Sequence, residues 1–204
     1  MKGAILVISG PSGAGKSSLI NEMLKEIKDV YFSISTTTRQ MREGEREGVE
    51  YFFISKEEFE KEIKEGEFLE WAKVHGNYYG TSLKPVKKAL KEQKLVVFDI
   101  DVQGHKIVKE KFKDLTTSVF LTTPSLKVLQ ERLLKRGTDD MQTIQKRVNN
   151  ALIEIEEISH YDFLIINDQF EEALKELVSV AKSSRIKTSL IPIDNFIQNW
   201  KNKK

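Results

Sequence analysis

Eight consecutive residues constrain this chain more than any other feature. Gly10-Pro11-Ser12-Gly13-Ala14-Gly15-Lys16-Ser17 fits the pattern G-x-x-x-x-G-K-[S/T] at every fixed position. Glycines let backbone N–H groups turn inward without a Cβ in the way, and a following helix presents its N-terminus to an anion. The flanking sequence supplies the context such a loop needs. Ala4 to Ser9 is a continuous apolar run, as for a strand buried on both faces. Beyond the loop, Leu19, Ile20, Met23, Leu24 and Ile27 fall on one helical face. A strand–loop–helix unit of this kind is a P-loop. It implies ATP held along Gly10 to Ser18, Lys16 reaching the β- and γ-phosphates, and the Ser17 hydroxyl on Mg²⁺.

The rest of the chain alternates in the same way. Leu95 to Ile100, Ser118 to Leu121 and Phe163 to Ile166 read as further buried strands, each followed by a helix. Thr123 suits an N-cap with Pro124 at the first helical position, and Phe170, Ala173, Leu174, Leu177 and Ala181 keep helical spacing. Strands alternating with helices give an α/β fold, a three-layer sandwich with a parallel sheet and helices on both faces. Two stretches break the alternation. Residues 35–82 read as a small mixed α+β insertion, with an alternating run from Val49 to Ile54 and a capping box at Ser55 to Glu58. Residues 125–158 read as a helical pair around Gly137, its second helix opening near Thr138 to Asp140 and carrying Ile144, Val148, Ala151, Leu152 and Ile155. The expected organisation is one domain over 1–204. Its core is 1–34, 83–124 and 159–185, and a C-terminal extension over 186–204 holds Phe196, Ile197 and Trp200 before a basic end.

Composition removes whole classes of function. There is no cysteine, which excludes disulfides, zinc–thiolate sites and a cysteine nucleophile. The net charge of +2, from 33 basic and 31 acidic residues, gives no reason for bulk nucleic-acid binding. No apolar run is long enough for a bilayer and the N-terminus is no signal peptide, so the expected location is the cytoplasm and no membrane partner is expected. His75, His105 and His160 are scattered and form no ligand cluster. Asp99 ends an apolar strand and fits the Walker B role, orienting Mg²⁺ directly or through water; Asp101 shares its side by the period of two. The guanine motif N-K-x-D of P-loop GTPases is missing, with Ile166-Asn167-Asp168 a partial echo.

Between these landmarks lie Ser35-Thr36-Thr37-Thr38-Arg39-Gln40-Met41-Arg42-Glu43-Gly44-Glu45, then Glu67-Phe68-Leu69-Glu70-Trp71 and Gly76-Asn77-Tyr78-Tyr79-Gly80-Thr81, and Asp99-Ile100-Asp101-Val102-Gln103-Gly104. At these residues, and from about Ala4 to about Lys182, the chain resembles guanylate kinase, the family that converts GMP and ATP to GDP and ADP. Many relatives have proline at Met41 and methionine at Val102, and some have serine at Thr81, so no polar contact is lost. The resemblance implies that Arg39, Arg42, Tyr51 and Tyr79 hold the GMP phosphate. The chemistry suits them, since arginine forks match phosphate oxygens and tyrosines add phenolic donors. It implies that Ser35, Glu70, Thr81 and Asp101 read the base. Carboxylates accept from guanine N1–H and N2, and hydroxyls reach O6. It also implies that Arg132 and Arg136, which share a helix face, close with Arg147 as a lid over the transferring phosphoryl. A kinase for another nucleoside monophosphate and a non-catalytic interaction module of the same fold remain open from sequence, as does oligomeric state.

Overall fold

The computed structural model describes residues 3–74, 76–137 and 140–202. His75 and the Thr138–Asp139 part of the expected helix start lie outside the described residues. Strand β1 (Ala4–Ser9) is buried along its whole length and leads through the glycine loop into α1 (Lys16–Glu26). It is central to a five-stranded sheet with β2 (Val30–Phe32), β7 (Leu95–Asp99), β8 (Thr116–Thr122) and β9 (Phe163–Ile166). The order is β2-β7-β1-β8-β9, and every pairing is parallel. Parallel strands need covered faces, and the side-chain alternation of β1 shows both. Leu6 and Ile8 pack with α1 and with α7 (Phe170–Ser184) through Leu19, Met23, Leu177 and Ala181. Ile5 and Val7 pack with α3 (Leu83–Lys91) and α4 (Val102–Phe112) through Leu83, Val86 and Val108. The outcome is the expected three-layer α/β sandwich.

Residues 36–82 build a second, mixed sheet of order β4-β3-β6-β5. It comprises β3 (Thr36–Thr37), β4 (Phe52–Phe53), β5 (Phe68–Val74) and β6 (Asn77–Ser82). Helix α2 (Lys56–Lys64) packs Phe59 against Phe68 and Tyr78, at 4.1 and 5.1 Å between rings. Helices α5 (Leu126–Arg136) and α6 (Met141–Glu154) share a core of Leu129, Leu133, Ile144, Val148 and Ala151. Gly137 ends α5 in the left-handed region at φ 66°, and Asp140 caps α6 by accepting from the Thr143 N–H at 2.7 Å.

The structure corrects several local expectations. The Thr123 hydroxyl is spent on the Ser125 carbonyl at 2.9 Å, so Ser125, not Thr123, caps α5 and Pro124 precedes the helix. Of the run from Val49 to Ile54, only Phe52–Phe53 forms a strand, because a turn closed by the Gly48 N–H on the Tyr51 carbonyl occupies its start. The box at Ser55 is half made, with the Glu58 N–H on Ser55 Oγ at 3.1 Å. Ile155 falls beyond α6 in a 3₁₀ turn, and Leu152 is exposed. Strand β2 was not anticipated at all. It is three residues long and half-buried, too short for a period to register. At the C-terminus α8 (Ile193–Asn202) buries none of its residues.

Candidate active site

The loop from Gly10 to Gly15 is shaped by glycines at positive φ: Gly10 at 143°, Gly13 and Gly15 at 93°. Two of them also permit close approach. A Cβ on Gly10 would lie 1.9 Å from the Leu121 carbonyl oxygen, and one on Gly15 2.4 Å from Asn167 Nδ2. Asn167 buttresses the loop from below. Its Nδ2 donates to the Ala14 carbonyl at 2.8 Å, and its own N–H donates to the Thr122 carbonyl at 2.7 Å. Arg132 Nη2 donates to the Asn167 carbonyl at 2.9 Å, so an arginine of α5 and the loop rest on the same residue. Arg147 donates to Ser12 Oγ, tying α6 to the loop from the other side. The Lys16 ammonium donates to the Gly10 carbonyl, across the loop's mouth.

Above the loop opens a cleft of about 700 Å³, lined by Gly10 to Ser18 except Ala14, by Asp99 and Asp101, and by Arg132, Arg136 and Glu154. Burial raises the Asp99 carboxyl above the usual range, opposed by the Lys16 charge. Burial also raises Glu154, with Lys16 opposing and Asp101 adding to the rise. Cations from α1, α5 and α6 therefore gather at the glycine loop, with carboxylates at the strand end. That is a receptacle for a polyphosphate and a hard cation.

A second pocket of about 260 Å³ is lined by Ser35, Glu70, Trp71, Ala72, Tyr79, Gly80 and Thr81. Gly80 lets the strands close: a Cβ there would lie 2.7 Å from the Glu70 carbonyl oxygen. Burial raises the Glu70 carboxyl, and the nearby charge of Asp101 raises it further. Asp101 caps α4, accepting from the Gln103 and Gly104 N–H groups at 3.0 and 2.8 Å, both on Oδ1. Asp101 lines the cleft, and its charge raises both Glu154 in the cleft and Glu70 in the smaller pocket, so it acts on groups of both cavities.

The remaining sequence candidates gather beside Tyr79. Arg39 lies over the rings of Tyr51 and Phe53 at 5.5 and 5.7 Å, and Tyr51 meets Tyr79 edge to face at 5.9 Å. Arg42 is exposed on the loop that follows. Most candidates thus fall in one of three places, the loop cleft, the small pocket or the Arg39 cluster; Ala14 and Arg147 do not line the cleft, and Arg42 stands on the exposed loop beyond Arg39. Sequence reasoning missed Glu45, Glu154 and Asn167. Glu45 ends the arginine-rich segment, and Glu154 stands seven residues after Arg147 on the same helical face, a signal that was there to use. Asn167 was visible only as part of an incomplete GTPase motif.

A family model described as guanylate kinase matches residues 2–184. The guanylate kinase of Wolinella succinogenes is 55% identical over 202 residues, which is 99% of this chain and 94% of that protein. That of Sulfurimonas denitrificans is 54% identical, over 97% of this chain and 96% of that protein. A crystal structure of guanylate kinase from Anaplasma phagocytophilum aligns with a TM-score of 0.72 at 28% identity, covering 100% of this chain and 97% of that one.

Proposed function

The chain belongs to the guanylate kinase family and is a nucleoside monophosphate kinase, and we propose that it moves the γ-phosphoryl group of ATP, held in the loop cleft, to GMP, held in the smaller pocket. One observation carries the assignment of cavities to substrates. Asp101 lines a loop cleft suited to a triphosphate, and its charge reaches Glu70 in a pocket whose carboxylate suits a base bearing N–H donors. ATP takes the cleft, its phosphates on the Gly10–Ser18 loop and Lys16. GMP takes the pocket. Glu70 and Asp101 accept from guanine N1–H and the N2 amino group, and Ser35 and Thr81 reach O6. Arg39, Arg42, Tyr51 and Tyr79 hold its phosphate.

The donor set fits Mg²⁺. Ser17 and Asp99 put a hydroxyl and a carboxylate into the same cleft. Held by Ser17 and Asp99, Mg²⁺ would supply charge neutralisation to the phosphates. The protein's own work is positioning. A GMP phosphate oxygen, already ionised at neutral pH, attacks the γ-phosphorus in line; the bond to the β–γ bridging oxygen breaks and ADP leaves. No general base is needed. Arg132, Arg136 and Arg147 spread their charge over the equatorial oxygens and, as a lid, keep water out. No helix among the described residues is long and apolar enough to cross a membrane, and the proposed setting is the cytoplasm.

Arg39→Ala tests the clamp. It is expected to keep ATP binding and to raise the KM for GMP by roughly 10²-fold, as for a lost charge-assisted phosphate contact. Unchanged GMP kinetics would contradict the assignment.

A further inference from the structure

We infer that Glu45 is the positioning residue of the phosphate clamp, its carboxylate fixing both the guanidinium of Arg39 and the loop that carries Arg42. This rests on Arg39 and Arg42 holding the GMP phosphate. Glu45 Oε1 accepts from Arg39 Nη2 at 2.7 Å, and Oε2 accepts from the backbone N–H of Arg42 at 2.8 Å. One carboxylate therefore bridges the side chain of the first arginine and the main chain of the second. The Glu45 N–H donates back to the Arg42 carbonyl at 3.1 Å, closing the turn.

The pair is unlike a surface ion pair. The side chains of Arg39 and Glu45 are only 13% and 18% exposed. Arg39 is held besides by Nη1 on the Gln40 carbonyl at 2.7 Å and by the rings of Tyr51 and Phe53. With one Nη2 bond and one Nη1 bond committed, a planar group of five donors keeps a fixed edge for phosphate. Little else holds this stretch. Gln40 to Gly44 are exposed and belong to no strand or helix, and Gly44 turns the chain at φ 85°. Without Glu45, both arginines would have to be ordered at the expense of binding energy.

The sign of the effect separates this role from simple electrostatics. A carboxylate beside a phosphate dianion repels it, so charge alone makes Glu45 unfavourable and its removal helpful to GMP binding. A positioning role demands the reverse. The experiment is steady-state kinetics of Glu45→Gln, Glu45→Ala, Glu45→Asp and Arg39→Ala with ATP and Mg²⁺, alongside thermal unfolding. The expected result for Glu45→Gln and Glu45→Ala is a KM for GMP raised roughly tenfold or more, a KM for ATP within about twofold and kcat within about fivefold. Glu45→Asp, which keeps both acceptors on a shorter stem, should recover part of the GMP affinity. A folded Glu45→Gln with unchanged or lowered KM for GMP overturns the inference. If Arg39→Ala also leaves that KM unchanged, the clamp itself falls; if Arg39→Ala raises it, only the role of Glu45 does.

Discussion

Glu70 shows how environment tells one carboxylate from another. Burial and the charge of Asp101 raise its pKa, so it takes up a proton at a higher pH than an exposed glutamate would. A protonated Glu70 has one acceptor fewer for guanine. KM for GMP should therefore rise as pH falls through this raised value. In Glu70→Gln that acid limb should vanish, while discrimination against AMP, on the order of 10⁴ for such a site, collapses. The sign for stability is opposite. A raised folded pKa means stability that is present at low pH and lost as pH rises through it, so Glu70→Gln should unfold at a higher temperature than the parent at neutral pH. A pH series of GMP kinetics with melting curves checks both. Asn167 invites a different test. Asn167→Ala removes the donor to the Ala14 carbonyl and should cost about 1–3 kcal/mol, read as a Tm lower by roughly 2–4 °C per kcal/mol, with a weaker KM for ATP. An unchanged Tm and KM would mean the loop holds itself.

The elements were legible where a pattern ran long enough to count. Strand β1, the loop and α1 follow from an apolar run, a motif and a helical period, β8 and β9 from runs of four residues, and α7 from helical spacing. What stayed hidden was fixed by tertiary contact. Strand β2 exists because it pairs with β7, and the start of α5 was set by which hydroxyl was free to cap it. The site divides in the same way. Lys16 could be named from the loop motif, and Arg39 and Glu70 from the family resemblance; Asn167 could not, because nothing local announces that it will lie against Gly15. Gly10 carries the sharpest prediction at this scale. Its φ of 143° and the 1.9 Å approach to the Leu121 carbonyl leave no room for a methyl group. Gly10→Ala should fail to bind ATP by calorimetry or fail to fold; a folded variant with parental ATP affinity would contradict the loop geometry.

Across the whole molecule, the parallel sheet is a rigid base at whose strand ends the glycine loop and the carboxylates Asp99 and Asp101 are set, and two outlying units bring the other charges. The mixed sheet contributes Arg39, Tyr51, Glu70 and Tyr79, and the α5–α6 pair contributes Arg132, Arg136 and Arg147. Helix α8 stands apart from this arrangement, with no buried residue. Ending the chain after Pro192, which keeps the buried Leu190, should leave kcat/KM within about twofold and Tm within about 2 °C, since little apolar area is lost from the core. A large loss in either would show that α8 covers something. The pairing of ATP with GMP is tested most directly by a substrate panel. ADP release is followed with ATP and Mg²⁺ and, separately, GMP, AMP, CMP and UMP. Rapid turnover with GMP alone is the predicted result. Turnover with another nucleotide in its place, or none from a folded protein that binds ATP, would contradict the assignment of the pocket to guanine.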